Sequence, residues 1–485
     1  MRIKRLPYIV SVLASLAITG CDASDDSASA ADEADMMNAN VDGPDADIAS
    51  PDADTPTASP DAEPPAPDAE VTVSYPSNQL FTALFDGNLI DADYWSEEPQ
   101  LLSAGLGFSD IVAVPGTGAP TEALARQAGG AWSTAYNCGE DVRNFTTVST
   151  VGQVSNAFII QDPLGPLKDG AIGIDGLPVV FSWPLDTRTL DLTDFQLTLN
   201  TGEVVRPMAV SPFPNVENNE RNVAVLFGEF GNRLPSSDPE ARYPVRVEVV
   251  EDDSPLLLVG PDARVESAVG LFKENTSSPY DPDNGPRLVG AKLNRVDAEV
   301  LGEGVSSRLS DAVFTPNDEH QLYDEADFRI RVLTSGGFSP DGVRGVRPDE
   351  FESLFRVHVN GEAPGSTVLM EQVGVDYEVM GGTLRVVGLS ELGGPATEAE
   401  PFDNCYDEDL DNYIDIILVG DEAAARQVTF VEIPSLAGGY EAFYNPGGPG
   451  STPYEDVNYT SPGPPDLEPV LMAIDDPMRV TREVE

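Results

Sequence analysis

From Pro178 onward the chain repeats one kind of patterning, in which short runs of alternating or continuous apolar residues are separated by turns rich in Gly, Pro, Asn and Asp. The runs are Pro178–Trp183, Phe195–Leu199, Asn222–Phe227, Tyr243–Val250, Pro255–Gly260, Pro286–Lys292, Phe328–Leu333, Phe355–Val359, Thr383–Val387, Tyr413–Val419 and Val428–Ile433. A side-chain period of two puts alternate residues on opposite faces of an extended chain, and runs this short suit strands better than helices. The expected fold class is therefore mainly β, a multi-domain antiparallel β-sandwich-type body. With 485 residues the chain is too long for one hydrophobic core, and with 41% hydrophobic residues it can fill more than one.

The expected organisation is a signal segment over 1–20, a lipid anchor and acidic linker over 21–72, and a mixed segment over 73–175. A β-sandwich over 176–315 and a C-terminal β-rich domain with an extended tail over 316–485 complete it. Within the mixed segment, Leu80–Phe85 is apolar and Thr121–Gln127 predicts a short helix, while Trp95, Trp132 and Tyr136 are expected to pack rather than bind. A helical turn is expected to begin at Pro348, and irregular coil is expected over the Gly/Pro-rich tail from Asn445 to Pro469.

Residues 22–72 consist largely of Asp, Ala, Pro and Ser, with fifteen acids and no Lys or Arg. Such a tract cannot bury enough apolar surface to fold. Charge repulsion and proline extend it, giving a tether that reaches roughly 40 Å as a coil and at most about 160 Å as polyproline II. The whole chain carries 83 acidic against 27 basic residues, a formal charge of −56. That surface repels phosphate backbones and excludes nucleic acid as a partner.

Residues 1–20 open with Arg2, Lys4 and Arg5, continue with an apolar run from Tyr8 to Ile18, and end in small residues. This is the pattern of a secretory signal, and the run is shorter than the roughly 20 apolar residues a membrane-spanning helix needs. Ala17-Ile18-Thr19-Gly20-Cys21 resembles the lipobox of bacterial lipoproteins, with Ile18 where leucine is commonest. The resemblance implies cleavage before Cys21 and acyl chains on that residue, holding the protein to a membrane. The expected location is the bacterial cell envelope, with the body in the periplasm or on the cell surface. Asp22 leaves the choice between inner and outer membrane open. A second resemblance covers about 177–250, where Phe181-Ser-Trp-Pro-Leu-Asp-Thr-Arg-Thr-Leu190 and the following strand and hairpin are similar to bacterial immunoglobulin-like modules. It implies a spacer or adhesion-type module.

With Cys21 assigned to the anchor, Cys138 and Cys405 remain, either as a disulfide in an oxidising compartment or as two isolated thiols. Cys405 lies in the most chemically specific stretch, Asp403-Asn-Cys-Tyr-Asp-Glu-Asp-Leu-Asp-Asn-Tyr-Ile-Asp415. Here Asp407, Asp409, Asp411 and Asp415 fall where a calcium loop places its carboxylates, with the Tyr413 carbonyl between the last two. Asn412 stands where such loops carry glycine, and Leu418 where they carry a bidentate glutamate. The alternatives are a weak extracellular calcium site and a solvated acidic turn. Asp281, Asp283 and Asn284 read as an ordinary turn.

Only His320 and His358 are present, which excludes a multi-histidine zinc site built from this chain alone. His358, inside an apolar strand, is expected to pack in a core. The nucleophile elbow, the metalloprotease helix and the phosphate-binding glycine loops are absent. The functional expectation is an anchored lipoprotein displaying a β-rich body for binding a protein or glycan or for structural work. The rival is an exported hydrolase using paired carboxylates, with carbohydrate as a candidate substrate. Assembly of the β modules into an envelope structure is the third possibility.

Overall fold

The computed structural model describes residues 89–105, 108–138, 141–156, 173–212, 221–232, 234–275, 278, 287–296, 323, 325–335, 338–339, 346–390, 413–435, 441–442 and 465–483. In chain order, β1 (Leu89–Asp93), β2 (Leu101–Ala104) and β3 (Phe108–Val112) precede a hairpin of β4 (Trp132–Cys138) and β5 (Asp141–Thr146). Next come β6 (Ile174–Phe181), β7 (Phe195–Leu199), β8 (Val204–Val205), β9 (Ala209–Ser211), β10 (Val223–Gly228) and β11 (Pro244–Val249). A second hairpin, β12 (Leu257–Val259) with β13 (Val265–Ser267), leads to β14 (Phe272–Glu274).

The remaining strands are β15 (Leu288–Arg295), β16 (Phe328–Thr334), β17 (Phe338–Ser339), β18 (Arg356–Asn360), β19 (Thr367–Met370) and β20 (Tyr377–Val379). They continue with β21 (Gly382–Ser390), β22 (Tyr413–Gly420), β23 (Val428–Ile433), β24 (Glu441–Ala442), β25 (Asp466–Met472) and β26 (Arg479–Glu483). Short helices occur at Glu122–Gln127, capped by the Thr121 hydroxyl, and at Phe351–Leu354 behind the turn that Pro348 starts. The fold is thus mainly β.

Two hydrophobic cores organise two lobes. In the first, the sheet β2-β6-β10-β9, with β3 also on β6, faces the sheet β14-β11-β7-β8. Leu177, Val179, Phe181 and Leu226 of one sheet meet Phe195, Leu197, Val247 and Val249 of the other around Trp183. The turn after β6 fixes this core from its edge. Asp186 caps a short 3-10 turn and holds Arg188, while the Thr189 hydroxyl accepts from the Leu257 N–H, tying the connection to β12.

The second lobe is a nine-stranded sheet in the order β19-β18-β23-β25-β15-β16-β22-β21-β20. The outermost strands β19 and β20 are consecutive in the chain, and the Tyr377 hydroxyl accepts from the N–H groups of Glu371 and Gln372 between them. The sheet is therefore curled almost into a barrel, with Ile330, Val332, Val357, Val386, Ile416 and Val431 filling it. β15, which the sequence groups with the 176–315 segment, pairs in this sheet with β16.

The chain crosses between lobes twice. After β25 it returns to the first lobe, where β26 pairs antiparallel with β1 from Leu89↔Glu483 to Asp93↔Arg479. The first and last described strands thus close on each other, and Ile90, Ala92 and Val480 join the sandwich core. Among the described strands one pairing departs from the antiparallel expectation: β25 runs parallel to β15 over Val470–Met472. Its first residues, Asp466–Pro469, fall at the end of the Gly/Pro-rich tail where coil is expected. The strand pairs with β23 up to Pro469, and β15 joins only from Val470. All described residues fall within one compact unit.

His358 differs from its expected place. In β18 the inward positions are Val357 and Val359, so His358 faces outward, where its Nε2 meets the Glu432 carboxylate and its ring stands edge-on to Phe430. An alternating strand buries every second residue, and His358 has the exposed parity.

Candidate functional site

The outer face of the barrel carries charged residues in alternation with core residues. On β16, Phe328, Ile330 and Val332 point into the barrel core, leaving Arg329 and Arg331 on the opposite face. Register places Lys292 of β15 opposite Arg331, Arg331 opposite Asp415 of β22, and Asp415 opposite Ser390 of β21. Such a row on an outer face normally meets water. Here the first lobe covers it, and Lys292, Arg329, Arg331 and Asp415 are at most 2% exposed.

Within this seam three cations, Lys292, Arg329 and Arg331, share the carboxylates of Asp93 and Asp415. The Asp415 carboxylate accepts from Arg331 Nε at 2.8 Å, and from Arg331 and Arg329 terminal nitrogens at 2.8 Å each. Arg331 approaches Asp415 through two nitrogens, the fork geometry that suits a carboxylate. Its remaining terminal nitrogen lies 3.5 Å from Asp93 at the end of β1. Lys292 Nζ, 3.0 Å from Asp93, also donates to the Met478 carbonyl at 3.2 Å and lies 5.1 Å from the Trp95 ring centroid. Arg331 therefore bridges the acid of one lobe to the acid of the other.

An apolar and hydrogen-bonded rim closes the seam. Trp95, Val180, Val223, Leu333 and Tyr413 form a cluster of their own between the two cores. The Tyr413 hydroxyl donates to Asn222 Oδ1, and its ring lies 6.0 Å from that of Trp95. Trp95 needs Gly290 beneath it, since a Cβ there would sit 2.7 Å from the Trp95 ring. Asn294 donates to the Pro477 carbonyl at 3.1 Å, fastening the segment that crosses back to the first lobe.

Burial alone would raise the Asp93 carboxyl, but Lys292, Arg331, Arg329 and Arg479 outweigh it and hold the group at about 2. Burial opposes ionisation of Asp415 as well, and Arg329 and Arg331 again prevail and lower it. Folded-state values below the unfolded carboxylate value give stability that is present above about pH 4 and lost as pH falls towards 2. The depression of Asp93 corresponds to about 2 kcal/mol. Unfolding free energy measured by urea titration should therefore drop between pH 4 and pH 2, and Asp93→Asn should flatten that drop while lowering stability at neutral pH.

Burial raises four other carboxyls, Asp175, Asp194, Glu468 and Asp466. Burial lifts Asp175 to about 6 although Ser109 and the N–H groups of Asp110, Phe230 and Gly231 bond it. Burial, with Asp252 and Asp191 nearby, lifts Asp194 to about 8 against the N–H groups of Asp191 and Leu256. Both pin connections of the first lobe. Glu468 pairs with Val431 in register, on the side of β25 that faces the barrel core, and burial with the neighbouring Asp466 raises it to about 7.

The expected site residues divide as follows. Both oxygens of Asp415 accept from the guanidinium groups of Arg329 and Arg331, which places this residue in the buried ion-pair seam. Tyr413, whose carbonyl was the expected ligand atom, contributes its ring and hydroxyl to the seam. Cys21, Cys405, Asp407, Asp409 and Asp411 lie outside the described residues, as do Asp281, Asp283, Asn284 and His320. Cys138 is described only as the last residue of β4, and its pairing with Cys405 lies outside the described residues as well. Among the described residues no group of three or more His, Cys, Asp or Glu side chains is placed to hold a metal, and no helix is long and apolar enough to cross a membrane.

In comparisons with known proteins, no family model, no curated protein and no solved structure matches this chain.

Proposed function

We propose that this chain is an exported bacterial lipoprotein that displays a two-lobed β body from a membrane for binding or structural work. The observation that carries the reading is the basic start, the short apolar run and the small residues leading to Cys21, followed at once by an acidic tract without a basic residue. Acyl chains on Cys21 supply membrane affinity at about 0.8 kcal/mol per buried methylene, and two or more chains make the attachment stable. The tether of residues 22–72 then sets the distance between membrane and body. The seam suits this work, because it joins the lobes by paired charges and a packed aromatic rim rather than by the two terminal strands alone.

In a bacterial host that processes lipoproteins, Cys21→Ser should move the body from the membrane fraction to the soluble envelope fraction. Retention of the variant in the membrane at the wild-type level would refute the anchor.

A cation in the acidic turn would draw on Asp407, Asp409, Asp411 and the Tyr413 carbonyl, without Asp415, and would brace the junction rather than take part in catalysis. The second reading is an exported hydrolase using paired carboxylates; Glu468, which burial raises to about 7, and the neighbouring Asp466, which burial also raises, are the acids it would call on.

A further inference from the structure

We draw no further inference here: the strongest candidate, the exposed apolar residues Leu369, Phe430, Pro469 and Leu467 on the outer face of β19, β23 and β25, carries nothing because nothing in the structure shows what covers it.

Discussion

Asp415→Asn should destabilise the body by about 3–5 kcal/mol, the range for removing one partner of a buried ion pair. Asparagine keeps the size of the side chain but leaves Arg329 and Arg331, both at most 1% exposed, facing a neutral amide. Asp93 cannot compensate, since it already serves Lys292. Urea unfolding followed by tryptophan fluorescence would measure the loss, because Trp95 lies in the seam itself. The cost comes from stranded charge, so a variant that also replaces Arg329 and Arg331 with methionine should regain much of it. An Asp415→Asn protein with an unchanged unfolding midpoint would show that the seam is not dry.

Deleting residues 479–485 should release β1. The deletion removes the partner of all five residues from Leu89 to Asp93, takes Val480 out of the sandwich core and exposes Ile90 and Ala92. Burial of one valine is worth about 1.5–3 kcal/mol and each lost backbone hydrogen bond about 1 kcal/mol net, so the loss is on the order of 5 kcal/mol. Met478 remains in this variant, so its carbonyl still accepts from Lys292 and the seam keeps one of its fastenings. Hydrogen exchange resolves the effect: the amides of Leu89–Asp93 should lose protection first, while those of β16 and β22 keep theirs. Continued protection of Leu89–Asp93 would mean that β1 is held by something other than β26.

Strands were legible because burial on one face imposes alternation on the sequence. Phe195–Leu199 and Val428–Ile433 are strands over the residues the pattern marks, and helical turns lie where they are expected, near Thr121 and from Pro348. What covers a strand face was not legible. Arg329, Arg331 and Asp415 alternate with core residues as solvent-facing residues do, and only the covering by the first lobe makes them buried partners. The signal that could have been read is the strand in which Asp415 sits, Tyr-Ile-Asp-Ile-Ile-Leu-Val, where a lone acid among large apolar residues needs a cation. Aspartate spacing instead attached it to the loop before it. Distant pairings were equally hidden: nothing local in Leu89–Asp93 specifies Arg479–Glu483 as its partner, and the Gly/Pro-rich tail masks the start of β25.

The proposed membrane anchor is tested most directly by mass spectrometry of the mature protein isolated from a bacterial host that processes lipoproteins. The predicted chain begins at Cys21 and carries a diacylglyceryl mass on that residue, with an amide-linked acyl chain in addition. A mature N-terminus elsewhere, with no acyl mass on any peptide, would contradict it.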